Sequence, residues 1–232
     1  MKHKILALVA SMGMAFSAQA QFGGLGSMLG SVVGGGSPTA AAKGDLTSQI
    51  DGFNSESQLI SDATVYALLQ IQAALGDKQD AAKAKQTADN LSKATDPKEI
   101  GSIKGTVIKE QSARSEELLK SAAAKEKMAQ LKPEMQKKVA DSIFTVGVAA
   151  LKIPGLLTTG QGIVSSISTN PMMIIKLVSI KDGIALLGDA LPKLGTIASV
   201  GVQLMRDVKV DPGNPTAETA LKVDTSVSIP ES

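Results

Sequence analysis

A chain of 232 residues with no cysteine, no tryptophan and a single histidine at position 3 leaves few catalytic chemistries open. It offers no thiolate or disulfide framework, and past His3 no imidazole for a metal, a nucleophile or a general base, so composition argues against an enzyme and against a bound metal or cofactor. With Lys2 and Lys4 set aside, basic and acidic residues balance at 22 each, and Arg114 and Arg206 are the whole arginine complement; such a chain presents no basic face for nucleic acid.

The aromatic residues are Phe16, Phe22, Phe53, Tyr66 and Phe144. Any core must therefore be built from Leu, Ile, Val, Ala and Met. Alanine and straight-chain residues favour helix, whereas sheets draw on β-branched and aromatic side chains, so the composition predicts an all-α protein.

Residues 1–20 read as a secretory signal peptide. Lys2 and Lys4 make a positive start, Ile5 to Phe16 an apolar run too short to span a bilayer, and Ala18-Gln19-Ala20 a small-x-small cleavage site before Gln21. No cysteine follows for acylation. The pattern predicts export, to the periplasm rather than the extracellular medium.

Residues 21–44 form a glycine-rich apolar linker. Gly26, Gly30 and Gly34 recur every fourth residue among Phe22, Leu25, Met28, Leu29, Val32 and Val33. Small residues at that spacing let helices approach closely, but each glycine costs about 1 kcal/mol in a helix relative to alanine, which favours a tether. Its apolar side chains are more than a tether needs, so Phe22, Leu25, Gly26, Leu29, Gly30, Val32 and Gly34 stand as the candidate interaction segment.

A helical domain is expected over 45–209. Asp45 caps a helix to about Leu75, with Leu46, Ile50, Phe53, Ile60, Ala67, Leu68, Ile71 and Leu75 near one face and Gly76 at its end. A second helix, from Asp77 to Lys93, offers Ala81, Ala84, Ala88 and Leu91, a face that packs closely but buries little. Asp96-Pro97-Lys98-Glu99 is a strong helix start. That helix is expected to run to about Leu131 on Ile100, Ile103, Val107, Leu118, Ala122, Met128 and Leu131, with a polar gap at Gln111 and Arg114. Its other face is densely charged with both signs, completing a long charged hairpin.

The stretch from Val139 to Met205 holds most of the large aliphatic residues, and no charge falls between Ile153 and Ile175. Ile153-Pro154, Asn170-Pro171 and Asp182-Gly183 are expected to divide it into short helices, and Pro192 to kink or split the last. A membrane span needs roughly 20 predominantly apolar residues. The uncharged run is more than half polar, small or helix-breaking, so short helices packed in a core are the better reading, with Val146 and Ile174 among the core. After Lys209 the periodicity ends. Residues 210–232 are expected to form a flexible acidic tail, able to reach a basic partner or lie on its own domain.

Catalytic signatures lack context. Gly23-Gly24-Leu25-Gly26 has no preceding strand and no lysine placed for a phosphate loop. Glu116 and Glu117 are adjacent and do not share a helix face, and Lys120-Ser121 lacks the buried lysine of a Ser-Lys dyad. The fold expected is a multi-helix bundle with a charged hairpin and a Gly/Pro-interrupted apolar core, flanked by flexible ends. Two roles fit it. One is a non-catalytic structural or interaction protein with a partner in the cell envelope. The other is a binder of hydrophobic ligands or membrane surfaces, motivated by the methionines and glycines of the central stretch, with any bilayer contact weak and made through residues 22–33. Nothing in the sequence sets the oligomeric state.

Cleavage between Ala20 and Gln21 is checked by mass measurement of the mature protein; an intact Met1 in the soluble envelope fraction would refute it.

Overall fold

The computed structural model describes residues 45–167 and 174–230, with Ile174 to Lys176 described in their backbone alone. The signal sequence, its Ala20-Gln21 cleavage site and the candidate segment Phe22 to Gly34 lie outside the described residues. The described chain is an all-α multi-helix bundle.

Its elements are α1 (Leu46–Leu75), α2 (Lys78–Lys93), α3 (Pro97–Thr106), a π-helical turn (Val107–Gln111), α4 (Ser112–Lys120), α5 (Ala124–Gln130), α6 (Pro133–Ile167) and α7 (Ile174–Asp207). An extended strap, residues 208–230, comes after α7. The main layer is α6 packed against α7 and α1; α2 lies on α1, and α4 on α7.

The predicted starts are built as the sequence implies. Asp45 accepts from the Ser48 amide at 2.9 Å, and Asp96 from that of Lys98 at 2.9 Å. Asp77 and Asp80 complete a reciprocal capping box. At the far end of α1, the Lys127 ammonium of α5 donates to the carbonyls of Leu75 (2.9 Å) and Gly76 (3.1 Å). A cation there satisfies terminal acceptors and complements the helix dipole. The small-residue face of α2 is buried through Ala81, Ala84, Ala88 and Leu91, as its pattern predicts.

The central stretch departs from expectation. Pro154 does not end a helix, nor do Asp182-Gly183 or Pro192; all lie inside the continuous helices α6 and α7. An interior proline forfeits one hydrogen bond and clashes with the preceding turn, a cost of about 3 kcal/mol. Around Pro154, however, Ile153, Leu156, Ile163 and Ile167 are all buried. Each such burial stabilises by roughly 1.5–3 kcal/mol, so continuity of the packed face outweighs the local defect. Nor do the glycines loosen this core. A Cβ on Gly160 would lie 2.6 Å from the Phe53 ring, and one on Gly201 2.7 Å from Ile143, so these positions let α6 meet α1 and α7 closely.

The region predicted as one helix over 97–131 is divided instead. The π turn at Val107–Gln111 adds a residue to the helical register, which rotates the succeeding helix by about 100°. That brings Val107 and Ile108 inward together with Gln111, Ser112 and Ser115. The polar gap thereby becomes a buried seam, where the Gln72 amide donates to the Gln111 carbonyl at 3.0 Å and to Ser115 Oγ at 3.4 Å. A turn at Ser121–Ala123 then separates α4 from α5, leaving Ala122 exposed rather than on the apolar face.

Val146 is fully buried. Val146→Ala should cost about 1–4 kcal/mol from lost burial plus the cavity left behind, read as a lowered melting midpoint; an unchanged midpoint would show that α6 is not the core.

Candidate functional site: a groove covered by the C-terminal strap

The residues beyond α7 do not form the flexible tail expected of them. They lie on their own domain, across α1 and α6. After a turn closed by the Thr219 N–H on the Thr216 carbonyl, exposure alternates with period two: Leu221 and Val223 are half-buried, and Ala220, Lys222 and Asp224 are exposed. That is the signature of an extended chain with one face against a surface. The segment bears Thr, Ser and Pro and an excess of acidic residues with no helical period, which is why it reads as disorder.

Its anchor is Gln70, a residue of α1 that is only 4% exposed. The side-chain amide oxygen accepts from the Ser228 main-chain N–H at 2.9 Å, and the amide nitrogen donates to the Ser228 carbonyl at 3.1 Å. One glutamine thus pairs with both main-chain groups of one residue, as a neighbouring β-strand would. The same nitrogen lies 3.4 Å from Met135 Sδ. Lys138 of α6 donates to the Ser228 hydroxyl. Among the described residues, the main-chain groups from Ala220 onward form no hydrogen bond with other main-chain groups, so side chains of the groove carry the recognition.

Between strap and helices lies a cavity of about 60 Å³, walled by Tyr66 and Gln70 of α1, Lys138, Asp141 and Thr145 of α6, and Lys222, Asp224 and Ser226 of the strap. Asp224 folds back to accept from the Ser226 amide (2.9 Å) and hydroxyl (2.6 Å). Those bonds, with the Lys138 charge nearby, hold its carboxyl below the usual range against the opposing effect of burial. Burial, with a contribution from Asp62, pushes the Tyr66 phenol up. A wider recess of about 480 Å³ opens where the strap begins, between Gln136, Ala140 and Phe144 of α6 and Val210 to Gly213.

The charged residues singled out from sequence have structural partners. Arg114 reaches Asp80 through Nη2 (2.7 Å) and Nε (3.3 Å), and Glu117 through Nη1 (2.8 Å). This fork pins α4 to α2 and holds the Asp80 carboxyl below its ordinary range, the Arg114 hydrogen bond being the main cause. Glu116 pairs with Lys120 instead, so the adjacent glutamates serve different cations. Lys104 pairs with Asp62. Ser121 donates to the Leu118 carbonyl at 2.8 Å and does not meet Lys120.

A second surface lies on the uncharged half of α6. There Thr158, Thr159, Ser165 and Ser166 are exposed, yet each hydroxyl donates to the carbonyl four residues back at 3.0–3.1 Å. Helices Pro133–Ile167 and Leu177–Asp207 are each long and apolar enough to cross a membrane, holding 18-residue stretches with mean hydropathies of 1.5 and 1.2; the core helix of a soluble bundle meets the same criterion. Among the described residues no cluster of three or more His, Cys, Asp or Glu side chains is placed to hold a metal.

No protein-family model, curated protein or solved structure matches the chain. The groove residues Gln70, Lys138 and Ser228 do not stand out in the sequence. The signals that point to them are two glutamines, Gln70 and Gln72, inside an otherwise apolar helical run, and the short alternation Leu221-Lys222-Val223-Asp224.

Gln70→Ala removes both bonds to Ser228. It should speed amide hydrogen exchange at Ser228, whose N–H Gln70 holds, and destabilise the fold by about 1–3 kcal/mol; unaltered exchange at Ser228 would show that Gln70 is not the anchor.

Proposed function

We propose that the protein is an exported, non-catalytic helical component of the cell envelope, periplasmic rather than extracellular, that works by binding protein. The observation that carries this reading is the Gln70–Ser228 pair. A buried side-chain amide that pairs with a peptide main chain is the chemistry of peptide recognition, where main-chain hydrogen bonds supply affinity and flanking side-chain contacts supply selectivity. Lys138 beside it suits a hydroxyl or carboxylate on the bound segment. Further support comes from the charged layer of α2 to α5, where Arg114, Asp80 and Glu117 hold the helices in register while other charges remain exposed for a complementary surface.

A membrane-surface or hydrophobic-ligand role is favoured by one specific observation. The exposed hydroxyls of α6 are already satisfied by their own helix, as hydroxyls must be where water is scarce, and Val178 on α7 is 63% exposed.

Crosslinking in intact cells with mass spectrometry tests the first role: adducts to a protein partner through the strap groove or α2–α5 are expected. Liposome flotation tests the second. The mature protein should float weakly, and a version starting at Lys43 less still. Equal, strong flotation of both, with no protein adduct, would overturn the protein-binding reading and move the activity to the α6–α7 pair.

A further inference from the structure

We propose that α3 is a movable arm that opens from the bundle on its own, latched to α1 by the ion pair of Lys104 with Asp62. The device is independent of the strap and its groove.

The arm is weak along its length. Alone among the described helices, α3 buries none of its residues. Ile100 and Ile103 are half-buried, and the helix lies against α1 and α2. Its 10 residues are too few for a helix to persist in water without packing. Two of them, Gly101 and Gly105, are glycines, which weaken a helix interior relative to alanine. Neither is there for want of room, since a Cβ at either position would meet nothing within 4 Å. In this they differ from Gly160 and Gly201, where the packing leaves no space for a side chain.

The ends of the arm, by contrast, are fixed. Before it, Leu91 of α2 is buried and Asp96 caps the first turn. After it, Val107 and Ile108 are buried in the π turn, Gln72 holds the Gln111 carbonyl at 3.0 Å, and Lys193 of α7 donates to the Lys109 carbonyl at 3.3 Å. The bond that joins arm to turn is divided, because the Val107 N–H is shared between the carbonyls of Ile103 and Lys104. A segment with no buried residue, set between two packed ones, is the kind of unit that opens without global unfolding.

The latch is better protected than the arm. The Lys104 and Asp62 side chains are 14% and 24% exposed, against 75% and 64% for the surface pair Lys137–Asp141, so water and salt screen them less. Opening exchanges this neutral pair for a free ammonium on the arm and a free carboxylate on α1. That carboxylate lies one turn from Leu59, which is itself 40% exposed. The charged layer thereby gains a second state, with Asp62 uncovered.

Amide hydrogen exchange of the full chain in dilute urea tests the arm and its latch. The amides of Ile100 to Thr106 should exchange roughly a hundredfold or more faster than those of Ile143 to Ala150 in α6. Opening so little surface should also leave them nearly insensitive to urea, whereas exchange in α6 accelerates with it. Equal protection in α3 and α6, with the same urea dependence, would show that α3 opens only with the whole fold and would overturn the proposal. Gly101→Ala with Gly105→Ala should slow exchange in α3 about twentyfold; no slowing would overturn the placement of the weak link in the helix itself. Lys104→Met, which keeps the aliphatic stem and removes the charge, should speed exchange in α3 about fivefold, and unchanged exchange would remove the latch.

Discussion

Helix α6 must be buried on two sides at once, and the rest of the fold depends on how that is done without aromatic bulk. Its inward residues, Val139, Ile143, Val146, Ile153, Ile163 and Ile167, are branched aliphatics of modest size. Filling space around them takes helices that come close, which is why Gly160 and Gly201 sit where any side chain would collide with Phe53 or Ile143. The same requirement explains why α6 runs straight through Pro154. Breaking the helix there would take Leu156, Ile163 and Ile167 off the shared face, a larger loss than one missing hydrogen bond.

The helices that surround this layer are held differently. Their contacts with it are small or polar: alanines on α2, the Gln72–Gln111–Ser115 seam at the π turn, and the Lys127 ammonium on the end of α1. Polar contacts of this kind have narrow geometry. They set the register of α3 to α5 on α1 while contributing little burial, whereas the aliphatic layer supplies burial with less directional preference.

Elements whose signals are local are legible in the sequence. Asp45, Asp77 and Asp96 are caps because the chemistry of a helix start lies within four residues. The breaks expected at Pro154 and Asp182-Gly183 do not occur, nor does Pro192 split its helix, because a proline or glycine reports a local cost and the compensating burial comes from residues on other helices. The π turn is visible only as a polar gap; its meaning depends on Gln72, 39 residues from Gln111. The strap groove is the least legible part. Gln70 and Ser228 stand 158 positions apart, and no spacing rule joins a helical glutamine to a serine near the end of an irregular segment.

The chain's single tyrosine stands in the wall of the cavity beneath the strap, and there is no tryptophan anywhere. Excitation energy absorbed by Tyr66 therefore has no indole to which it can pass, and the near-ultraviolet emission of the whole protein arises beside Gln70 and Asp224. A molecule otherwise almost without chromophores carries its one intrinsic optical probe at the place where the strap lies across α1 and α6.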